Sequence, residues 1–444
     1  MSLSIVELMK QPKHDLTWLQ NALHSAMKLE LFTLPPYLCG YWALKDKESY
    51  PATQIKDIVY QEMLHFGLTC NMLCATGKKP QMLQGYKDII YPSGLPGGVV
   101  PQCDKNLIPC DPHFQVMLGF SDFKAFTWMS AQIEYPENPT PHSALAETYP
   151  TIGQFYDAVL EAFHLNDAQI AALHDGYSYD TTNQQKGALG VFYVSNLDTA
   201  TSAIKLIQQQ GEGGYRNPYY GGNHLSHFYA FGELYFGQKY VYNAANETGN
   251  WSGDKVTITA DQYYNMTPVP LGGYTNPPSE VTDCDALFTS MLTQLESAWS
   301  EGGAKALSAA MKSMGLLRDK VKILLGAQLA RNDGQAGIYG PQFRLAVVDR
   351  GPSRFGVESS GSNASMSFAA DIKPLFRAID IEHMKVYGYL LDDYTFMSDP
   401  TDDHANAAAV FSSLQSQEMP PGGPFWTQAQ LDLFSNWMAG GYKA

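Results

Sequence analysis

The chain has 444 residues, 45% of them apolar and only 16% charged, a balance that excludes disorder as its main state and allows a large buried core. Lysine and arginine number 29 against 44 acidic residues, and the net charge of −15 sets up a field that repels nucleic-acid phosphates and anionic lipid. There is no run of about 18 apolar residues, no basic and apolar leader at the start, and too few cysteines (six) for a disulfide scaffold. The expectation is a cytoplasmic protein without a nucleic-acid or membrane partner.

In chain order, apolar residues recur at helical spacing over 15–45, with Leu19, Leu23, Ala26, Met27, Leu34 and Leu38 on one stripe and a bend expected at Pro35–Pro36. A second helix over 53–75 is apolar all round and stops at Gly77. Residues 80–149 are studded with proline and glycine and read as a crossover or lid, not a helix. A short helical pattern over 152–164 follows, then a third long helix over 199–210 with Asp198 as its cap and Gly211 as its stop. Residues 225–242 read as a fourth helix with Phe228, Phe231, Leu234 and Tyr235 inward. Two more helices over 285–299 and 304–325 precede a Gly/Ser-rich break at 351–365.

The fold class expected is therefore mainly α: a ferritin-like four-helix bundle with one long crossover between its second and third helices, plus extra helices. A metal-binding domain with insertions is expected over 1–350, and a small helical C-terminal unit over 366–444.

Each of the four helices offers metal ligands. Glu30 sits among apolar neighbours in the first. Glu62 and His65, three apart, share one face of the second, where a buried anion needs a cation or a hydrogen-bond network. Glu212 follows the third, and His224 and His227 stand one turn apart at the start of the fourth. Singly these are weak signals; together their order matches a carboxylate-bridged dimetal bundle in which His224 occupies the place of a second bridging Glu. Tyr37, two turns after Glu30, points toward the same site as a candidate catalytic residue.

At these residues the chain resembles the ferritin-like domain of the iminophenylpyruvate dimer synthase (VioB-like) family. The matching stretches are Leu29 to Leu38, Gln61 to His65, the Ile133 to Glu137 turn, Thr151 to Tyr156, Gln210 to Gly213 and Leu225 to Tyr229. The resemblance implies a non-haem metal centre, iron first and one or two ions per chain, that works with dioxygen on a small organic, amino-acid-derived substrate in specialised metabolism. The C-terminal unit resembles a small cytochrome-c-like module, but no Cys-X-X-Cys-His occurs, so covalent c-type haem is excluded. A homo-oligomer is the mild expectation. Alternatives are a ferritin-like metal-binding or scaffold protein without catalysis and, further off, a mononuclear zinc hydrolase.

Overall fold

A computed structural model describes residues 4–100, 107–111, 113–136, 151–211, 218–222, 224–346, 367–385, 390–400, 404, 406–407, 410–411, 414 and 426–444. The chain divides into two compact units, Met1–Val347 and Val348–Ala444. The Gly/Ser-rich stretch 351–365 and the ligand candidate Glu212 lie outside the described residues.

In the first unit a short helix α1 (Ile5–Met9) leads into α2 (Leu16–Ala43), opened by Asp15, whose carboxylate accepts from the Trp18 amide at 2.9 Å. After a short loop α3 (Tyr50–Ala75) packs along α2, and from Leu64 to Ala75 every residue is buried. Burial on all sides explains why this half of the helix lacks a polar stripe. α2 continues through Pro35 and Pro36. Pro36 has no N–H to give the Phe32 carbonyl one turn earlier. The Tyr91 hydroxyl donates to that carbonyl instead, at 2.7 Å, and its ring stacks on Phe32.

The region read as a helix-free crossover contains helices. α4 (Met82–Tyr86) is a single turn, and α5 (Phe123–Ile133) is a full element capped by Asp122. Phe123, Phe126, Ser130 and Ile133 form its buried stripe, a 3–4 spacing masked by the proline and glycine around it. Next, α6 begins with a Thr151–Gln154 capping box and runs on from Ile152 to Ala172. α7 (Leu197–Gln210) starts two residues earlier than expected, because Asn196 and not Asp198 caps the Thr199 amide. α2 packs on α6, α6 on α7, and α3 on α7 and α8, while α5 pairs with α8.

α8 covers only His227–Phe236 and ends at Gly237, whose φ of 68° is the left-handed cap that a side chain resists. Residues beyond it alternate in the two-residue strand period, and β3 (Gln238–Asn243) pairs antiparallel with β4 (Thr248–Lys255). The single helix expected over 225–242 is thus a helix followed by a hairpin. Trp251 of that hairpin lies so close to α8 that a Cβ on Gly232 would stand 2.4 Å from the indole. β1 (Tyr219–Tyr220) and β2 (His224–Leu225) form a small ribbon just before α8. α9 (Ser279–Ala298) and α10 (Gly303–Ala327) pack against each other.

The second unit has its own small core, including Phe368, Ile372, Phe376, Phe434 and Trp437. Its described helices are α11 (Ala378–Lys385), α12 (Tyr394–Met397) and α13 (Gln428–Ala439).

Replacing Tyr91 by Phe keeps the ring stack and leaves the Phe32 carbonyl buried without a donor. Denaturant unfolding of Tyr91→Phe is expected to show a loss of about 1–3 kcal/mol with an unchanged m-value.

Candidate metal centre

Glu30 lies midway along α2, and Glu62 and His65 lie one turn apart on α3; all three are buried. His227 is the first residue of α8 and is fully buried, with Ser226 as the cap. Glu134 is the residue that closes α5, also buried. Ligand atoms of Glu30, Glu62 and His65 lie within 4.8 Å of one another, and so do those of Glu62, Glu134 and His227. Glu62 belongs to both groups.

The separations suit ions held between these atoms. Glu62 Oε1 is 2.9 Å from His227 Nδ1 and 3.6 Å from His65 Nδ1. Glu134 Oε2 is 3.4 Å from His227 Nδ1, and Glu30 Oε2 is 3.7 Å from His65 Nδ1. Donors about 2.1 Å from a shared ion and at right angles to one another are about 3 Å apart, so the spacing is that of neighbours in a coordination shell. His227 Nδ1 gives the more direct test: it is buried and has no hydrogen-bond partner, despite the two carboxylate oxygens beside it. A ring nitrogen aimed at carboxylates holds a proton there in the metal-free protein and can take a cation in its place.

The surroundings orient every ligand. His65 Nε2 lies 2.9 Å from Gln210 Oε1, and His227 Nε2 lies 2.9 Å from Gln61 Oε1. With a carbonyl oxygen behind each ring, Nε2 carries the donated hydrogen and Nδ1 is left to face the centre. The Thr33 hydroxyl donates to Glu62 Oε2 at 2.6 Å, the Tyr37 hydroxyl to Glu134 Oε1 at 2.5 Å, and the Tyr156 hydroxyl from α6 to Glu30. The His227 amide donates to the Gly211 carbonyl at 3.1 Å, which ties the start of α8 to the end of α7. A cavity of about 30 Å3 opens among Glu30, Glu62, His65, Glu134 and Tyr156, room for about one water-sized molecule.

Burial drives the electrostatics. It pushes the Glu30 carboxyl well above its usual range, and Glu62 adds to the push. It holds His65 down at about 3, helped by His227. For His227 burial acts downward too, but the Glu134 and Glu62 carboxylates outweigh it and raise the imidazole to about 10. Burial, and then Glu134 for Tyr37 and Glu30 for Tyr156, lifts both phenols well above their usual value, so both keep their protons and remain donors.

Of the residues singled out from sequence, Glu30, Glu62, His65 and His227 come together, and Tyr37 reaches the cluster through Glu134. His224 does not. It stands exposed on β2, three residues before His227 but in extended backbone, so the one-turn relation that holds inside a helix does not apply. Glu134 takes a ligand position that the sequence reading passed over. Its signal was there: an Asp122 cap and a 3–4 apolar stripe point to a helix that ends at Glu134. Gln61, Gln210, Thr33 and Tyr156 lie in the stretches that carry the resemblance but had no role assigned, because nothing in an isolated polar residue tells which ring or carboxylate it will meet.

A ferritin-like family model matches residues 23–236, the stretch that holds all of these ligands. Among solved structures, a ferritin-like protein from Caulobacter vibrioides is 22% identical, over 74% of this chain and 97% of that one, with a TM-score of 0.45. No curated protein matches the chain. Among the described residues, no helix is long and apolar enough to cross a membrane. Residues 23–236 thus form a ferritin-like domain with a buried carboxylate and histidine cluster able to bind metal.

Proposed function

We propose that this protein is a non-haem, metal-dependent oxidase or oxygenase that holds iron in a dinuclear centre. The observation that carries this reading is Glu62, shared between two ligand groups so that one carboxylate faces both ion positions. Glu30 and His65 would complete one position, Glu134 and His227 the other. A set of carboxylates and imidazoles without sulfur suits iron, and such a pair of ions, when bound, supplies the redox chemistry that activates dioxygen. The resemblance to the iminophenylpyruvate dimer synthase family supports a small, amino-acid-derived substrate in specialised metabolism.

The chain's own residues set the conditions. Gln61 and Gln210 hold both imidazoles with Nδ1 toward the centre, and Thr33 and Tyr156 fix the carboxylates of Glu62 and Glu30. Tyr37 orients Glu134 and places a protonated phenol beside the centre, a positioning role. Leu29, Ile133 and Ile207 line the cavity with apolar surface and keep bulk water thin there.

Elemental analysis is expected to find about two ions per chain after reconstitution with iron(II). Glu62→Ala should lose both and Glu134→Ala one, while His224→Ala retains the wild-type content; full retention in Glu62→Ala would overturn the centre.

Binding should also release a proton, because His227, raised to about 10 by the Glu134 and Glu62 carboxylates against the effect of burial, carries one near neutral pH in the metal-free protein. Calorimetry in buffers of different ionisation enthalpy is expected to show that release, with affinity rising as pH rises from 6 to about 8.

Iron(II)-loaded protein should consume dioxygen. Tyr37→Phe is expected to keep its iron and to slow that consumption about 10- to 100-fold, as read by an oxygen electrode; iron-loaded protein inert to dioxygen would leave a metal-binding protein without oxidase chemistry.

A further inference from the structure

A second cavity, of about 310 Å3, is lined in part by Gln61. Tyr219, Tyr220 and Tyr240 contribute to its walls, with Asp57, Gln61 and His224 among its polar groups. The two cavities differ about tenfold in size, and the difference decides what each can hold. The one at the centre admits a water or a diatomic molecule but no organic ring, whereas the second reaches the lower end of small-molecule sites.

Its lining selects a chemical class. Tyr219, Tyr220 and Tyr240 give the walls aromatic character, with the Tyr220 ring stacked on that of His224. Glu233 is engaged by the Tyr50 hydroxyl, by the Tyr240 amide at 2.7 Å and by Lys239 at 3.6 Å. Lys239, seated over the Tyr50 ring, is therefore compensated. That leaves the exposed Asp57 carboxylate and the exposed His224 imidazole facing the cavity; both accept from hydroxyl or amino donors, and Asp57 repels carboxylates and phosphates. Gln61 connects the cavity to the centre: its carbonyl oxygen faces His227 Nε2 at 2.9 Å, and its amide contacts the Tyr220 hydroxyl.

We propose that this cavity binds a small, neutral, single-ring aromatic molecule bearing hydroxyl or amino donors, a phenol or arylamine, and that Gln61 transmits its occupancy to His227. The binding half stands on the cavity alone; the coupling half rests on the metal-centre reading above. It gives His224 a place in ligand binding, not in metal ligation.

Hydroquinone is the probe, titrated anaerobically into the metal-free full chain with calorimetric detection. One saturable site is expected, at least tenfold weaker in both Tyr220→Ala and His224→Ala, with benzoate at least tenfold weaker than hydroquinone on the wild type. Far-UV circular dichroism and iron content check that the variants remain folded. Absence of saturation by about 10 mM, or equal binding in both variants, would overturn the site. In iron-loaded protein, with hydroquinone brought to saturation for each protein, the absorption spectrum of the wild type should shift and that of Gln61→Leu, at equal iron content, should not; equal shifts would overturn the coupling. Protein that takes up no iron yet binds hydroquinone would support the cavity and overturn the metal reading, so the two failures are told apart.

Discussion

Three buried carboxylates and two buried imidazoles, gathered in two groups that share Glu62, are the constraint on which the rest of this domain depends. Bringing like charges together out of water costs several kcal/mol per group unless a cation or a complete hydrogen-bond network compensates. The network here is extensive yet incomplete. Thr33, Tyr37 and Tyr156 give each carboxylate one donor, and the glutamines behind the rings satisfy Nε2, but His227 Nδ1 has none. An apolar core of the same volume would be no less stable, so the cluster is understood through the cation it can hold.

The backbone positions of the ligands sharpen that demand. Glu134 sits at the C-terminus of α5 and His227 at the N-terminus of α8, which places an anion at the negative end of one helix and an imidazole at the positive end of another. Both placements run against the helix fields. A cation between the two residues relieves both at once, by screening Glu134 and by taking the His227 lone pair in place of a proton. Glu30, Glu62 and His65 come instead from the interiors of α2 and α3, the longest helices of the first unit, where backbone hydrogen bonds are complete and position is most rigid.

Several features that look like departures from helical regularity serve this geometry. α2 passes through two prolines close to its ligand Glu30, and a tyrosine from a distant loop supplies the donor that Pro36 lacks. α8 is short and followed at once by a hairpin, which folds Trp251 back against Gly232. Gln61 and Gln210 are neutral backing groups, so the rings behind them stay imidazoles and are not drawn toward imidazolate.

The ordered helices, the Glu62–His65 pair and the isolated acid in α2 were legible in the sequence, because helical spacing and an anion among apolar residues are local properties. So was the ferritin-like class of the fold. The rest was decided by tertiary structure. Whether His224 is one helical turn from His227 depends on where α8 begins, and the β1–β2 ribbon, a tight hairpin that pairs Tyr220 with His224 and Tyr219 with Leu225, sets that start after His224. Whether Glu134 belongs to a loop or to a ligand set depends on α5 packing against α8, which proline and glycine on either side conceal. Which tyrosines and glutamines meet which ligands depends on the packing of helices far apart in sequence. Spacing along one helix fixes which side chains share a face; only the assembled bundle fixes what that face meets.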